Sequence, residues 1–173
     1  MKFQIEKTVE ILSQTPATVK SLLGNLSADW IENAPDSETW SPFDIVGHLI
    51  HGEETDWIPR AEIVLGQGEN RTFKPFDRFA QFEKSKGKTL NELIETFAAS
   101  RMKNLEILRE MNLTEEKLKL KGIHPEIGEV TLEQLLATWV VHDLNHLKQI
   151  VTVLADKYAA NVGVWKQYLS ILQ

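Results

Sequence analysis

The sequence has no cysteine among its 173 residues. Disulfides, iron–sulfur clusters, thiolate zinc sites and cysteine nucleophiles are excluded, and nothing about redox compartment can be read. Long hydrophobic runs are missing too: the opening MKFQIEKTVEILSQ mixes charges with isolated apolar side chains, and no later stretch reaches the length of a signal core or a membrane span. A cytoplasmic protein without a membrane partner is expected. Basic residues are few and scattered, 19 Lys and Arg against 25 Asp and Glu for a net charge of -6, so no electrostatic footprint for nucleic acid is expected. Repeats, low-complexity tracts, phosphate loops, dinucleotide fingerprints and familiar nucleophile motifs are also lacking. What is present is ordinary for a protein with a real core, 42% hydrophobic and 25% charged residues, which suits one compact domain over residues 1–173. The expected partner is a small molecule, with a homodimer of this chain also allowed for.

Helical periodicity accounts for most of the chain. Phe3 to Asn25 carries Ile5, Val9, Leu12, Val19, Leu22 and Leu23 at helical spacing, with Pro16 predicted to kink or break it. Leu26 to Thr39 is a connection, with a short turn near Ser27–Trp30 and turn-rich residues Asn33–Ser37. The second helix opens on Trp40-Ser41-Pro42-Phe43-Asp44, where Ser41 caps, Pro42 fits the first turn, Asp44 completes a capping box and Trp40 can staple onto Ile45. It runs to Gly66, with Pro59 predicting a kink near Thr55–Asp56. Thr89 and Glu92 form a second capping box, opening a third helix to about Met111, and Thr131 with Gln134 caps the fourth, which reaches Lys157. A last short helix over about Asn161–Leu172 offers Trp165, Tyr168, Leu169 and Leu172 as a docking face. Between the helices, Lys117–Lys121 alternates like a strand edge before a Gly/Pro turn. Gln67–Lys88 places Phe73, Phe76, Phe79 and Phe82 at intervals of three, as a hydrophobic flap pinned to the bundle or an aromatic lid over a pocket.

The fourth helix carries the chemistry. Leu132, Leu135, Leu136, Trp139, Leu147, Ile150, Val153 and Leu154 share one face, and His142, Asp143 and His146 fall inside it. Polar groups turned to a core cost about 1–3 kcal/mol each if unpaired, so partners are expected. His142 and His146 are one turn apart and can converge on a single ion. His48, beside Ile45, Val46 and Leu49, is the natural third ligand; the bland alternative is three hydrogen-bonded core histidines. Asp143 could be a general base, support a ligand, or cap a neighbouring helix. Asp44, one turn before His48, could hold that ring or simply cap. His51 could line the same cavity, though solvent is favoured. Trp139 reads as core before substrate platform, Glu53 and Glu54 as supporting or surface groups, and Arg60 and Arg101 as exposed salt-bridge partners before carboxylate binders.

Trp40-Ser41-Pro42 leading to His48-Leu49, then Trp139-Val140-Val141-His142-Asp143-Leu144-Asn145-His146, resembles the DinB superfamily, including its YfiT-like bacillithiol-transferase branch. The likeness extends from Thr15-Pro16 to Trp165. It implies an all-α, up-down-down-up four-helix bundle with a divalent ion on His48, His142 and His146. It also draws His124, in a His-Pro-Glu element, toward the pocket. Zinc or nickel is the first expectation for the ion, with iron, manganese or cobalt compatible with the same all-nitrogen set. Three imidazoles leave coordination open, as in catalytic sites. The resemblance implies transfer of a low-molecular-weight thiol or hydrolysis of a small molecule; a non-catalytic, metal-stabilised stress-response or binding bundle is the alternative.

Overall fold

The structure, a computed structural model, describes residues 2–34, 39–66 and 68–173. Four helical columns dominate: α1 (Ile5–Leu23); α3 (Pro42–Thr55) continued by α4 (Trp57–Gly66); α6 (Leu90–Glu110); and α8 (Leu132–Asp156). Short elements join them: α2 (Ala28–Ile31), α5 (Ala80–Ser85), α7 (Glu115–Leu118) and an antiparallel hairpin of β1 (Lys121–His124) and β2 (Gly128–Thr131). Both α1 and the α3–α4 column pack against α6 and α8, which puts α1 and α3–α4 at opposite corners. That is the neighbour relation of an up-down-down-up bundle. No helix among the described residues is long and apolar enough to cross a membrane.

Capping fixes where the columns start. Ser41, Thr89 and Thr131 each accept the backbone N–H three residues on, and the side chains of Asp44, Glu92 and Gln134 return the bond. The α3–α4 column breaks at Asp56, where Pro59 withholds a backbone donor from the turn before it.

Packing divides the interior into two apolar clusters. One holds Leu12, Trp57, Leu105, Leu108, Leu136 and Trp139. The other holds Val19, Ile45, Leu49, Ile94, Phe97 and Ile150. Along every column the boundary between them is polar: Thr15 on α1, Glu53 on α3, Arg101 and Asn104 on α6, Asp143 and His146 on α8, all buried.

Pro16 does not break α1, which continues through it. A proline at this position leaves the Leu12 carbonyl without its helical donor. That carbonyl instead accepts from Arg101 Nη1 at 2.8 Å, so the lost bond is replaced from α6.

Other expectations are corrected. Of the Lys117–Lys121 piece, Lys117 and Leu118 close α7, which Thr114 caps, and pairing begins only at Lys121. The last turns, Gly163–Tyr168 and Ser170–Leu172, do not dock through their aromatics: Trp165 and Tyr168 are 68% and 74% exposed and meet each other. Of the turn-rich stretch Asn33–Ser37, residues 35–37 lie outside the described residues, as does Gln67 at the head of the phenylalanine segment.

That segment is pinned at both ends. Phe73 is buried, and its N–H donates to Ile123 O at 2.8 Å while Ile123 N–H donates to Arg71 O at 2.8 Å, an added edge on β1. Gly122 makes this fit possible, because a Cβ there would lie 2.5 Å from Phe73 Cε1 and 2.8 Å from Val64 Cγ2. Gly122→Ala is therefore expected to destabilise the protein by about 1–3 kcal/mol through overpacking, read as a lower urea midpoint with unchanged slope.

Candidate metal centre

His48 is carried by the second turn of α3, and His142 and His146 by the middle of α8. Their ligand atoms lie within 4.8 Å of one another. Nε2 of His142 is 3.1 Å from Nε2 of His48 and 3.1 Å from Nε2 of His146. Nitrogen ligands about 2.0–2.1 Å from a tetrahedral ion sit about 3.3 Å apart, so the two spacings to His142 are close to that of a coordination edge. Hydrogen bonding alone serves the cluster poorly. A neutral imidazole has one N–H, so His142 Nε2 can donate to only one of its two neighbours, and Nδ1 of His48 and of His142 is buried without a partner. A cation between the three Nε2 lone pairs removes the conflict at Nε2 and puts the single N–H of each ring on Nδ1.

Aromatic rings enclose the cluster. Trp40 lies 4.9 Å from the His48 ring and stacks on His146 at 6.4 Å. Phe76 meets His48 edge-on at 5.3 Å, and Trp57 meets His142 edge-on at 5.1 Å. Burial in this apolar shell lowers the His48 pKa to about 3, helped by positive charge from His146, His51 and Arg78. It lowers that of His142 to about 2, helped by His146, His48 and Arg101. His146 is also lowered by burial, against the contact with Gln149. Gln149 Oε1 lies 2.9 Å from His146 Nδ1, which places the proton there and leaves Nε2 as the lone-pair atom.

His48 and His142 open onto a cavity of about 310 Å³. Trp57, Phe73, Phe76 and Leu135 give it apolar walls; Asp56, Arg60, Arg78 and His124 supply polar ones. His124 is thus at the pocket, although its Nδ1 is engaged by the Glu126 backbone N–H at 3.2 Å. The flap and the lid are one segment, since Phe73 is pinned to β1 while Phe76 covers His48. Asp56, at the break between α3 and α4, pairs with Arg60 at 2.8 Å. Burial pushes its carboxyl up to about 6 against the pull of that guanidinium.

Several other candidates lie elsewhere. Asp143 faces away from the cavity, wholly buried, and takes two hydrogen bonds from Arg101 at 2.6 and 3.0 Å, so it is ion-paired and is no free general base. Arg101, expected at the surface, is 1% exposed; it also donates to Glu53 at 3.0 and 2.7 Å and to Leu12 O. All five of its N–H groups find acceptors in this way. Glu53, far from the surface, accepts further from Asn104 and from Trp139 Nε1 at 3.1 Å, which makes Trp139 a core residue. Burial raises the Glu53 pKa, with Arg101 and Asn104 opposing. Glu54 pairs with Lys84 at the surface. Asp44 is used by its cap, accepting from Ser41 N at 3.0 Å and Ser41 Oγ at 2.6 Å, and does not hold the His48 ring. Trp40 likewise lies over His48 as well as beside the helix start. His51 is buried, not solvated; its ring lies 4.8 Å from Phe76 and its Nδ1 is 3.1 Å from Lys84 Nζ.

Sequence reasoning missed Asp56, Arg78 and Gln149 at this site. Gln149 had a usable signal, one turn after His146 on the same helix; Asp56 had only the predicted kink, and Arg78 none.

The family model described as the DinB superfamily matches residues 11–150 of this chain. Among solved structures, the chain is similar to YfiT from Bacillus subtilis, described as a probable metal-dependent hydrolase with an unusual four-helix bundle topology. The two share 22% identity at a TM-score of 0.77, over 91% of this chain and 89% of that one. No curated protein matches by sequence.

Proposed function

The chain belongs to the DinB superfamily, and on that premise we propose that it is a metal-dependent enzyme acting on a small molecule, by hydrolysis or by transfer of a low-molecular-weight thiol. His48, His142 and His146 are the ligands, and zinc or nickel is the first choice of ion. The observation that carries this reading is the convergence of three imidazoles, two buried and one half-buried, beside a cavity that two of them line. A bound divalent ion would supply a Lewis acid that polarises an electrophile and makes water or a thiol more acidic.

The protein's own groups do the rest. Burial keeps His48 and His142 neutral, which is the form that can act as ligand. Trp40, Trp57 and Phe76 fix the rings and limit water around them. Asp56, with a carboxyl that changes charge near pH 6, can accept or return a proton within the same cavity. The likeness of fold to YfiT, which is described as a probable metal-dependent hydrolase, supports the hydrolytic branch.

The test is turnover by metal-loaded protein with a panel of thiols and aryl-halide acceptors, and separately with activated esters and amides. Activity is expected with one of these groups and should fall to the metal-free level in His142→Ala. Absence of turnover in every case, with metal bound, would leave a binding protein.

A further inference from the structure

The cavity beside the histidines holds two guanidinium groups in a chain whose net charge is -6. They come from different segments, Arg60 from α4 and Arg78 from the stretch just before α5. Neither is fully used by the protein. Among the described residues, no ion pair or hydrogen bond holds the Arg78 guanidinium, whose positive charge instead bears on His48. Arg60 is 6% exposed and packs 5.3 Å from the Phe73 ring centroid. Its partners are Asp56 at 2.8 Å and, at a long 3.5 Å, the Lys74 carbonyl; its Nε–H is buried without an acceptor. A buried guanidinium with a spare donor is costly unless something accepts from it.

Acidic lining is limited to Asp56 and Glu126. Asp56 is committed to Arg60, which it meets through one carboxylate oxygen at 2.8 Å, and so leaves Arg78 without a counter-charge. Glu126 sits on the exposed turn of the hairpin and makes no ion pair with either arginine among the described residues. The remaining walls, including Trp57, Phe76, Ile127 and Leu135, suit a hydrocarbon body. The cavity is at the small end for a ligand pocket, so the body must be compact.

We propose that this cavity selects a small molecule bearing a carboxylate, seated on Arg78 and Arg60, with its apolar body against the aromatic walls of the cavity that His48 and His142 also line. Two planar guanidinium forks match a carboxylate better than they match any neutral group of the same shape. The inference rests on reading the cavity as the substrate's, and it names the substrate's class: a carboxylate with a compact apolar body.

Benzoate and its neutral counterpart benzamide are the probes, titrated calorimetrically into metal-free and zinc-loaded protein. Benzoate should bind both forms and benzamide should bind measurably more weakly to both. Arg78→Gln, at an exposed position, should weaken benzoate by about tenfold or more while leaving benzamide unchanged, as expected for loss of a charge-assisted contact. Arg60→Gln should do the same if it folds, and the Arg78 variant decides the matter if it does not. Benzoate binding that is absent, equal in Arg78→Gln, matched by benzamide, or seen only with zinc and independent of the arginines would overturn the proposal. The metal reading is judged apart from this: arginine-dependent benzoate binding by a protein that takes up no zinc would keep the carboxylate seat and discard the metal.

Discussion

Arg101→Met is expected to lower the free energy of unfolding by about 3–5 kcal/mol, the usual result of removing one partner from a buried ion pair. For a chain of this size that corresponds to a melting temperature lower by roughly 6–20 °C. Methionine fills comparable volume, so the loss would not come from a cavity. It would come from leaving Glu53 and Asp143 buried without their cation, and the Leu12 carbonyl without a donor. The guanidinium ties all four columns at one level: α1 through Leu12, α3 through Glu53, α8 through Asp143, and α6 by its own backbone. Glu53→Gln should cost less, because an amide oxygen can still accept from Arg101 and from Trp139. Urea unfolding of both variants measures the difference; an Arg101→Met change under about 1 kcal/mol, the scale of an exposed pair, would refute this view of the layer.

Zinc present at 100 times its dissociation constant is expected to stabilise the protein by about 2.7 kcal/mol, because only the folded chain brings the three histidines together. The melting temperature should rise by roughly 5–11 °C, and a chelator should reverse it. The pH dependence has a definite sign. Burial holds His48 near 3 and His142 near 2, below the 6.5 of an unfolded histidine. At these two positions the unfolded chain therefore binds more protons than the folded one as soon as the pH drops below 6.5, which lowers metal-free stability from there toward pH 3, while the raised carboxyls of Asp56 and Glu53 act in the opposite sense. In the folded chain His48 and His142 do not yet carry protons at pH 5.5, so the zinc-induced rise should survive there even though both melting temperatures are lower. Scanning fluorimetry between pH 8 and 5, with and without zinc, checks both parts. A metal-free protein whose stability falls no more steeply below pH 6.5 than that of His48→Ala would contradict the burial argument.

Helix starts were legible because caps are local: Ser41 with Asp44, Thr89 with Glu92 and Thr131 with Gln134 each signal within four residues what the backbone then does. The pairing of His142 with His146 was legible for the same reason, as one helical turn fixes it. His48 was not fixed by spacing, since 94 residues separate it from His142; its place beside the apolar stripe of its helix made it a candidate, and the ordered motif of the resembled family strengthened that. The buried layer was hidden. Nothing local shows that Arg101, on a helix with many charges, points inward to a carbonyl released by Pro16 on another helix. Pro16 alone reads as a helix breaker, and Arg101 alone reads as surface. The phenylalanine segment was only half legible, since a spacing of three cannot tell buried Phe73 from Phe79, which is 63% exposed.

The central claim is that His48, His142 and His146 bind one divalent ion together. Calorimetric titration of metal-free protein with zinc, repeated on His48→Ala, His142→Ala and His146→Ala with circular dichroism to verify that each is still helical, tests it most directly. The account predicts a single ion per chain in the parent protein and loss of that uptake in each folded variant. No uptake by the parent with zinc, nickel, iron, manganese or cobalt, or uptake unchanged when a histidine is removed, would contradict it.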